Sequence, residues 1–251
     1  MLNKLQKEFD DYTKDYLKYY RCELKYNHSY RVMELSKIIS ESISLSEDDI
    51  ELSQIIGLLH DIGRFDQFKY YNSFVDINTI DHGDLGVYLL KKDNNIRNYI
   101  IDSKYDNIIY NAIRNHNKFI IDSNLDDREL LFSKIIRDAD KIDIMYLYVI
   151  GELGNKRVED NISDDIVECI KENKLIDSHN IKNLADKMMI VLCFPFDFNY
   201  SKSFDIIYSR GYIDKIIDNY INVSFDNTDY VKELNNIRNI INEYILSHIS
   251  K

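Results

Sequence analysis

The sequence predicts an all-α protein, and two observations carry that prediction. The chain of 251 residues contains seven glycines and one proline. Both residue types are most frequent in turns, loops and sheets, so their scarcity favours long helices. Apolar residues also recur at spacings of three and four along most of the chain, which is the period of an amphipathic helix. Because hydrophobic residues make up 45% of the chain, it can bury a sizeable core.

The N-terminal part shows this period three times. The first helix is predicted from a stripe of aromatic residues: Phe9, Tyr12, Tyr16, Tyr19 and Tyr20. A second helix is predicted from about residue 28 to 42. The segment Ser46-Glu47-Asp48-Asp49 has the pattern of a capping box, so it predicts the start of a third helix that carries apolar side chains as far as His60.

The rest of the chain alternates between periodic and irregular segments. Residues 64–80 are aromatic and polar with no clear period, which predicts a loop. Helical patterns return at about 81–93, 105–117 and 127–149. A polar stretch to about residue 180 follows Gly151 and Gly154. The last three helical patterns run from Leu184 to Leu192, from Ile206 to Ile217 with an interruption at Gly211, and from Val231 to His248.

The domain organisation predicted from these patterns is simple. No Pro- or Ser-rich linker divides the chain, and no internal repeat is visible. We therefore expect one domain over residues 1–251. It would comprise a core at about residues 20–150 and a helical extension at about residues 151–251.

Charge and composition exclude several classes of function. The net charge is −11 and the isoelectric point is about 5.0, and no basic tract stands out, so binding to duplex nucleic acid is not expected. No segment approaches the roughly 18 apolar residues of a membrane span. The first ten residues lack the apolar core of a signal peptide. The odd number of cysteines, Cys22, Cys169 and Cys193, is typical of reduced thiols in a cytoplasmic protein.

The most informative motif is the dipeptide His60-Asp61, which ends an apolar helical run and is followed by Gly63. Adjacent residues on a helix point about 100° apart, so both side chains can reach one ion only near a helix end. We expect the glycine to turn the chain there. The pair is therefore a candidate for metal ligation.

Further ligand-type residues lie on or at the ends of other predicted helices: His28, His82, His116 and Asp140. Imidazole and carboxylate groups drawn from separate elements are what a metal site requires. Each residue alone is a weak signal, because a single histidine on a helix is more often a surface or hydrogen-bonded core residue. Asp140 could equally pair with Arg137 or Lys141.

In order and setting, these residues resemble the HD superfamily of metal-dependent phosphohydrolases. The family pattern is a histidine, then a His-Asp pair, then a distant aspartate, all on helices, and His28, His60-Asp61 and Asp140 match it. The resemblance covers about residues 20–150 and implies an HD-domain helical bundle with additional C-terminal helices. His82 and His116 match the two extra histidines of the subgroup that holds two metals. The chain lacks the glycine-tyrosine-proline signature of cyclic dinucleotide phosphodiesterases, since its single proline, Pro195, lies far away.

The resemblance implies a division of the ligands between two ions. The first ion would be held by His28, His60, Asp61 and Asp140. Asp61 would bridge to a second ion held also by His82 and His116. Mixed nitrogen and oxygen ligands suit Fe or Mn best, with Zn, Co, Ni or Mg as alternatives.

Basic and acidic residues near these ligands are candidates for contact with substrate. Arg31 lies one helical turn after His28, and Arg64 follows the His-Asp turn. Arg137 lies one turn before Asp140, and Lys141 follows it. Each could bind a substrate phosphate or form an ordinary salt bridge. Arg64 is the preferred phosphate contact.

Two aspartates are further candidates in this part of the chain. Asp84 or Asp143 could act in acid-base chemistry or orient a ligand histidine. Capping of a helix by Asp81 or Asp84 is the simpler alternative. We name Asp61, Arg64 and Asp84 as the candidate catalytic residues.

The function expected from these features is hydrolysis of a phosphomonoester or phosphoanhydride bond in a small nucleotide-like substrate by a metal-bound hydroxide. Two alternatives stay open. A di-iron pair with the same ligands could activate dioxygen in an HD-type oxygenase, or the chain could be a non-catalytic ligand-binding HD protein. The sequence does not predict the oligomeric state.

Overall fold

The structure, a computed structural model, describes residues 2–249, and over that range it contains helices joined by turns and no strand. The prediction of an all-α fold is therefore confirmed. The chain divides into two compact units, Met1–Asp140 and Lys141–Lys251. This boundary lies closer to the N-terminus than the division expected near residue 150. That the whole chain folds as one domain stays a prediction.

The first unit contains seven helices of its own among the described residues: α1 (Leu2–Thr13), α2 (Tyr20–Ser42), α3 (Glu47–Leu59), α4 (Ile62–Tyr71), α5 (His82–Lys91), α6 (Ile96–Tyr99) and α7 (Asp106–Asn115). The boundary between the units falls within α8 (Asp127–Val149). The second unit contains α9 (Asp164–Lys171), α10 (Leu184–Leu192), α11 (Ser201–Ser209), α12 (Tyr212–Val223) and α13 (Thr228–His248).

The packing of α2 against α3 forms the centre of the first unit. A glycine allows this close crossing, because a Cβ atom at Gly57 would lie 2.8 Å from the Cα atom of Met33 and 2.9 Å from Oγ of Ser36. The start of α3 matches the predicted cap, since the Ser46 side chain accepts a hydrogen bond from the Asp49 amide. The close crossing brings His28 of α2 beside His60 at the end of α3.

The segment 64–80 was predicted as a loop, and for its first half that prediction is wrong. Residues 62–71 form α4, whose core face carries Ile62, Phe65 and Phe68 at spacings of three. The helical period was not recognised because a polar residue, Gln67, is also fully buried on this helix. Its side-chain amide is hydrogen-bonded to a neighbouring turn.

The predicted N-terminal helix is shorter than its aromatic stripe. Helix α1 ends at Thr13, the chain turns through residues 14–19, and α2 begins at Tyr20. The turn lets Tyr16 pack edge-on against Phe65, with ring centroids 5.6 Å apart. Tyr19 and Tyr20 are exposed instead of continuing the apolar face.

The second unit has its own apolar core, in which α12 packs against α13. The predicted interruption at Gly211 is confirmed as the boundary between α11 and α12, where the glycine adopts a left-handed conformation with φ of 62°. The polar stretch to about residue 180, for which no helix was predicted, contains α9. Its apolar face is narrow, consisting mainly of Ile166 and Ile170. Across residues 2–249, every helix is too short or too polar to cross a lipid bilayer.

Candidate metal centre

Four of the predicted ligands converge at one point in the first unit. Nε2 of His28 lies 3.2 Å from Nε2 of His60 and 3.0 Å from Oδ1 of Asp140. Oδ2 of Asp61 lies 3.6 Å from Nε2 of His28 and also 3.6 Å from Nε2 of His60. All four residues are buried. They form the first ligand group, at the place where the sequence predicted it.

The other oxygen of Asp61 faces a second group. Its Oδ1 atom lies 3.3 Å from Nε2 of His82 and 3.7 Å from Nε2 of His116, and these two nitrogens are 2.9 Å apart. Both histidines are buried. The two groups therefore share one carboxylate, each using a different oxygen.

The spacing of the donor atoms fits bound cations. Ligand bonds of about 2.0–2.2 Å to a tetrahedral or octahedral ion place neighbouring donor atoms about 2.8–3.6 Å apart. The measured separations within each group, 2.9–3.7 Å, lie in or next to that range. Nitrogen and carboxylate donors in this combination suit Fe, Mn or Zn.

Three of the histidines have their other ring nitrogen engaged. Nδ1 of His60 donates to the carbonyl oxygen of Gly57 at 2.7 Å, and Nδ1 of His116 donates to that of Ile113 at 2.6 Å. Nδ1 of His82 donates to the carboxylate of Asp76 at 2.6 Å. Since the proton is on Nδ1 in each ring, the lone pair of Nε2 points into the cluster, as metal ligation requires.

A change of helix between two adjacent residues explains how His60 and Asp61 both reach the site. His60 caps the C-terminus of α3, and Asp61 precedes the first residue of α4. The expectation that Gly63 turns the chain is wrong, because it lies within α4. A Cβ atom there would lie 2.3 Å from the carbonyl oxygen of His82 and 2.7 Å from the amide nitrogen of Gly86. Glycine is needed so that α4 can pass close to α5, which carries His82.

A buried arginine fixes the end of the helix that carries His116. Arg137 is 2% exposed, and its guanidinium donates to the carbonyl oxygens of Asn115 and Lys118, among others at this helix end. These carbonyls have no partner within α7, so the arginine satisfies them in place of water. Arg137 therefore helps to hold His116, which follows the last residue of α7, in position.

Protonation also favours ligation. Burial lowers the pKa of His60, and burial together with the nearby charge of Arg64 lowers the pKa of His82 to about 4. Burial alone would raise the pKa of Asp61, but Lys25 and His60 outweigh it and hold that pKa well below its usual value. The hydrogen bonds of the first group have the same effect on the pKa of Asp140. These directions favour neutral imidazoles at His60 and His82 and ionised carboxylates at Asp61 and Asp140.

Sequence reasoning missed Lys25. Its ammonium group lies 2.7 Å from Oδ2 of Asp61, and the lysine side chain is 21% exposed. Lys25 precedes His28 on α2 by three residues, so it occupies the same helix face. That spacing was the available signal.

Sequence reasoning also missed Asp76, which lies in the irregular turn before α5. Its carboxylate accepts from His82, from Gln67 at 2.9 Å and from Arg64 at 2.7 Å. Burial would raise its pKa, but His82 and Arg64 outweigh that effect and lower it. No periodicity marks this residue, so nothing in the sequence distinguished it from the other aspartates.

Arg64, predicted as a substrate contact, lies next to the bridging carboxylate. Its Nε atom is 3.6 Å from Oδ1 of Asp61, and its Nη1 atom donates to Gln67, Asp76 and the carbonyl oxygen of Phe74. The side chain is 13% exposed. In this arrangement Arg64 connects Asp61 to the residue that orients His82.

The remaining predicted substrate residues occupy other surroundings. Asp84 is half-exposed, and its carboxylate accepts from Arg114 at 3.0 Å and Lys118 at 2.9 Å, so the structure does not bring it into the cluster of six ligands. Lys141 forms an ion pair with Asp197. Arg31 is half-buried on α2 one turn after His28. Roles for these three residues in binding or catalysis stay predictions.

The fold and the site together define a helical protein with a buried cluster of histidine and aspartate side chains that could hold metal ions. Residues 26–145 match the family described as HD domain, so this segment is an HD domain. Members of this family are generally metal-dependent hydrolases that act on small phosphorylated substrates. No curated protein and no solved structure matches the chain.

Proposed function

We propose that this chain is a phosphohydrolase that uses two divalent ions to cleave a phosphomonoester or phosphoanhydride bond in a small nucleotide-like substrate. One observation carries the proposal: the two oxygens of Asp61 face two separate groups of ligand nitrogens, at 3.3–3.7 Å. A carboxylate placed in this way supports a pair of ions rather than one.

The ligands fall into two sets that share Asp61. His28, His60 and Asp140 complete the first set, and His82 and His116 complete the second. When bound, two such ions activate a water molecule as the nucleophile and stabilise the charge that develops on the phosphoryl oxygens. Fe or Mn fits the donors best.

The protein's own residues prepare the site for that chemistry. The hydrogen bonds from Nδ1 of His60, His82 and His116 hold the rings in place, so little reorganisation is needed when an anion binds. Lys25 and Arg64 place positive charge at the two oxygens of Asp61. The charge of Lys25 helps to keep the pKa of Asp61 low, and both charges favour the approach of a phosphate.

Metal content and phosphatase activity test the proposal directly. The protein is purified without added metal, its metals are measured, and phosphate release is screened over nucleotides with Mn, Fe, Co and Mg. We expect about two ions per chain and phosphate release that requires a divalent ion. An Asp61→Asn variant, which keeps the shape of the side chain but removes its charge, should lose both.

The same experiment distinguishes the oxygenase alternative. Iron in the purified protein, with oxygen consumption and no phosphate release under any metal, would contradict hydrolysis and identify a di-iron oxygenase. Activity with Mn under anaerobic conditions would exclude the oxygenase reading. Protein that takes up no divalent ion would refute both enzymatic functions.

A further inference from the structure

Helix α2 carries two cations on the face that bears His28. Arg21, Lys25 and His28 follow one another at spacings of four and three residues, so their side chains leave the helix on the same side. Lys25 reaches the bridging carboxylate, with Nζ 2.7 Å from Oδ2 of Asp61. Arg21 is exposed and lies further from the ligands along the helix.

The charges around Asp61 favour the binding of an anion next to Lys25. The six candidate ligands include two carboxylates and four imidazoles, and an imidazole binds a metal ion in its neutral form. Two divalent ions outweigh the two carboxylates, and the ammonium group of Lys25 adds a further positive charge. Like charges this close repel strongly in a buried site. A phosphoryl group, which carries negative charge, removes that repulsion when it binds.

Arg64 is less able to bind a new anion, because its guanidinium group already forms an ion pair with Asp76. Its guanidinium is hydrogen-bonded to Asp76 at 2.7 Å. Within the described ion pairs Lys25 is paired with Asp61, which is itself a candidate ligand whose charge bound ions would share. Lys25 is therefore the cation best placed to take a new anionic partner.

Arg21 lies at the edge of the same site, next to Phe74. The Cζ atom of Arg21 is 5.8 Å from the centre of the Phe74 ring, and the Cζ atom of Arg64 is also 5.8 Å from that ring. Arg64 in turn contacts Asp61. Arg21 and Arg64 therefore lie beside the same ring, which is an observation independent of the helical spacing of Arg21.

We propose that Lys25 binds the phosphoryl group that is cleaved and that Arg21 binds the next phosphate of the same substrate. Four residues of an α-helix advance about 6 Å along its axis, which is longer than one phosphoryl group and suits a chain of linked phosphates. This inference rests on the proposed function and narrows it. The substrate carries at least two adjacent phosphates, so the bond cleaved is a phosphoanhydride.

Binding of two phosphonates tests the proposal without relying on turnover. Methylphosphonate has one phosphoryl group, and methylenediphosphonate has two joined by a carbon that hydrolysis does not cleave. Each is titrated by calorimetry into the full-length protein loaded with Mn. The variants are Lys25→Met, Lys25→Arg and Arg21→Met. Lys37→Met is the matched control, since Lys37 is a half-exposed lysine on the same helix, paired with Glu41.

The expected results separate the two cations. Lys25→Met should weaken binding of both phosphonates by about tenfold to a hundredfold, and Lys25→Arg should restore most of it. Arg21→Met should weaken only methylenediphosphonate, by about two- to fivefold, because the arginine is exposed. Lys37→Met should bind both probes as the wild type does. Mn stoichiometry and the helical circular dichroism signal should be the same in all variants.

Each part of the inference can fail separately. Unchanged phosphonate affinity in Lys25→Met would overturn the role of Lys25. Equal wild-type affinity for the two probes, or no selective loss in Arg21→Met, would overturn the assignment of a phosphate chain. Wild-type protein that binds Mn but neither phosphonate would overturn both. Protein that binds no Mn would instead refute the proposed function on which the inference rests.

Discussion

Asp76 fixes the orientation of His82: Oδ2 of the aspartate lies 2.6 Å from Nδ1 of the histidine. The contact fixes the ring and leaves Nε2 facing Asp61 at 3.3 Å. Carboxylates in this position raise the basicity of a ligand histidine, and their loss typically weakens metal binding tenfold to a hundredfold. The same carboxylate holds Arg64 and Gln67.

We therefore expect Asp76→Ala to weaken the second metal site by about tenfold to a hundredfold and to leave the first site intact. Titration of metal-free protein with Mn should show one tight and one weakened binding event. The control is Asp102→Asn, an aspartate on the surface that pairs with Lys104. Equal affinities in wild type and Asp76→Ala would contradict an orienting role for Asp76.

The sequence was sufficient to predict which histidines and aspartates cluster as candidate ligands, because they lie at the ends or on the faces of strongly periodic helices. His60, Asp61 and His116 mark helix ends, where an apolar run stops on a polar residue. A ligand that follows an apolar run remains visible as a break in the hydrophobic pattern. Lys25 was recognisable by a different signal, because it lies one helical turn before His28.

The residues that support the ligands could not be predicted in this way. Asp76 and Gln67 are brought together by a turn whose path depends on tertiary contacts, not on local periodicity. Gln67 is fully buried although it is polar, so hydrophobic patterning places it on the wrong face. Arg137 is likewise buried by its hydrogen bonds to the end of α7. Buried polar networks of this kind are determined by partners that are distant in sequence.

Asp61→Ala is expected to be the most damaging single substitution in the site. It removes one ligand from each group and the negative charge between two cations. Mn stoichiometry should fall, and turnover should be lost. Both are measured on the same preparation, by metal analysis and by phosphate release. Retention of full metal content and activity would show that Asp61 serves only as the residue that precedes α4.

Replacement of His82 and His116 together by alanine tests whether the centre holds one ion or two. If both histidines bind a second ion, the double variant should keep about one Mn per chain and lose most of its activity. The matched control replaces the exposed histidines, His179 and His248, which lie outside the cluster. The same stoichiometry in wild type and in the His82/His116 variant would reduce the chain to a mononuclear protein.

The metal-free protein should become less stable as the pH falls from about 6.5 towards 4, because the buried imidazole of His82 resists protonation over that range. Burial and then Arg64 lower the pKa of His82 from 6.5 to about 4. Between those values the unfolded chain binds a proton that the folded chain does not, so lowering the pH favours unfolding. Above about pH 6.5 both states are neutral and this contribution no longer changes with pH.

The variant His82→Gln isolates that contribution. The free energy of unfolding is measured with guanidinium chloride at pH 7, 6 and 5 in the presence of a chelator. Wild type should lose stability over this range, and the variant should lose less because one imidazole has been removed. Asp61 and Asp140 do not affect the comparison, since their pKa values are lowered from 3.8 and titrate below this range. Parallel pH profiles for the two proteins would show that His82 is not held neutral by the fold.

Gly63→Ala should disturb the second ligand group without changing any ligand. The new Cβ atom would lie 2.3 Å from the carbonyl oxygen of His82 and 2.7 Å from the amide nitrogen of Gly86. Both are backbone atoms and cannot turn away, so α4 and α5 must separate. We expect a loss of about 1–3 kcal/mol in the free energy of unfolding and weaker binding of the second Mn ion.

The matched control for Gly63→Ala is Gly86→Ala, on the facing helix at the same crossing. A Cβ atom at Gly86 would meet side-chain methyl groups of Ile113 and Ile62 at 3.4 Å, and such groups can shift by a few tenths of an ångström. The control should therefore cost less stability and leave the Mn titration close to that of wild type. Chemical denaturation and Mn titration are measured on both variants. If Gly63→Ala proves no worse than Gly86→Ala in either measurement, the close approach of α4 to α5 does not set the position of His82.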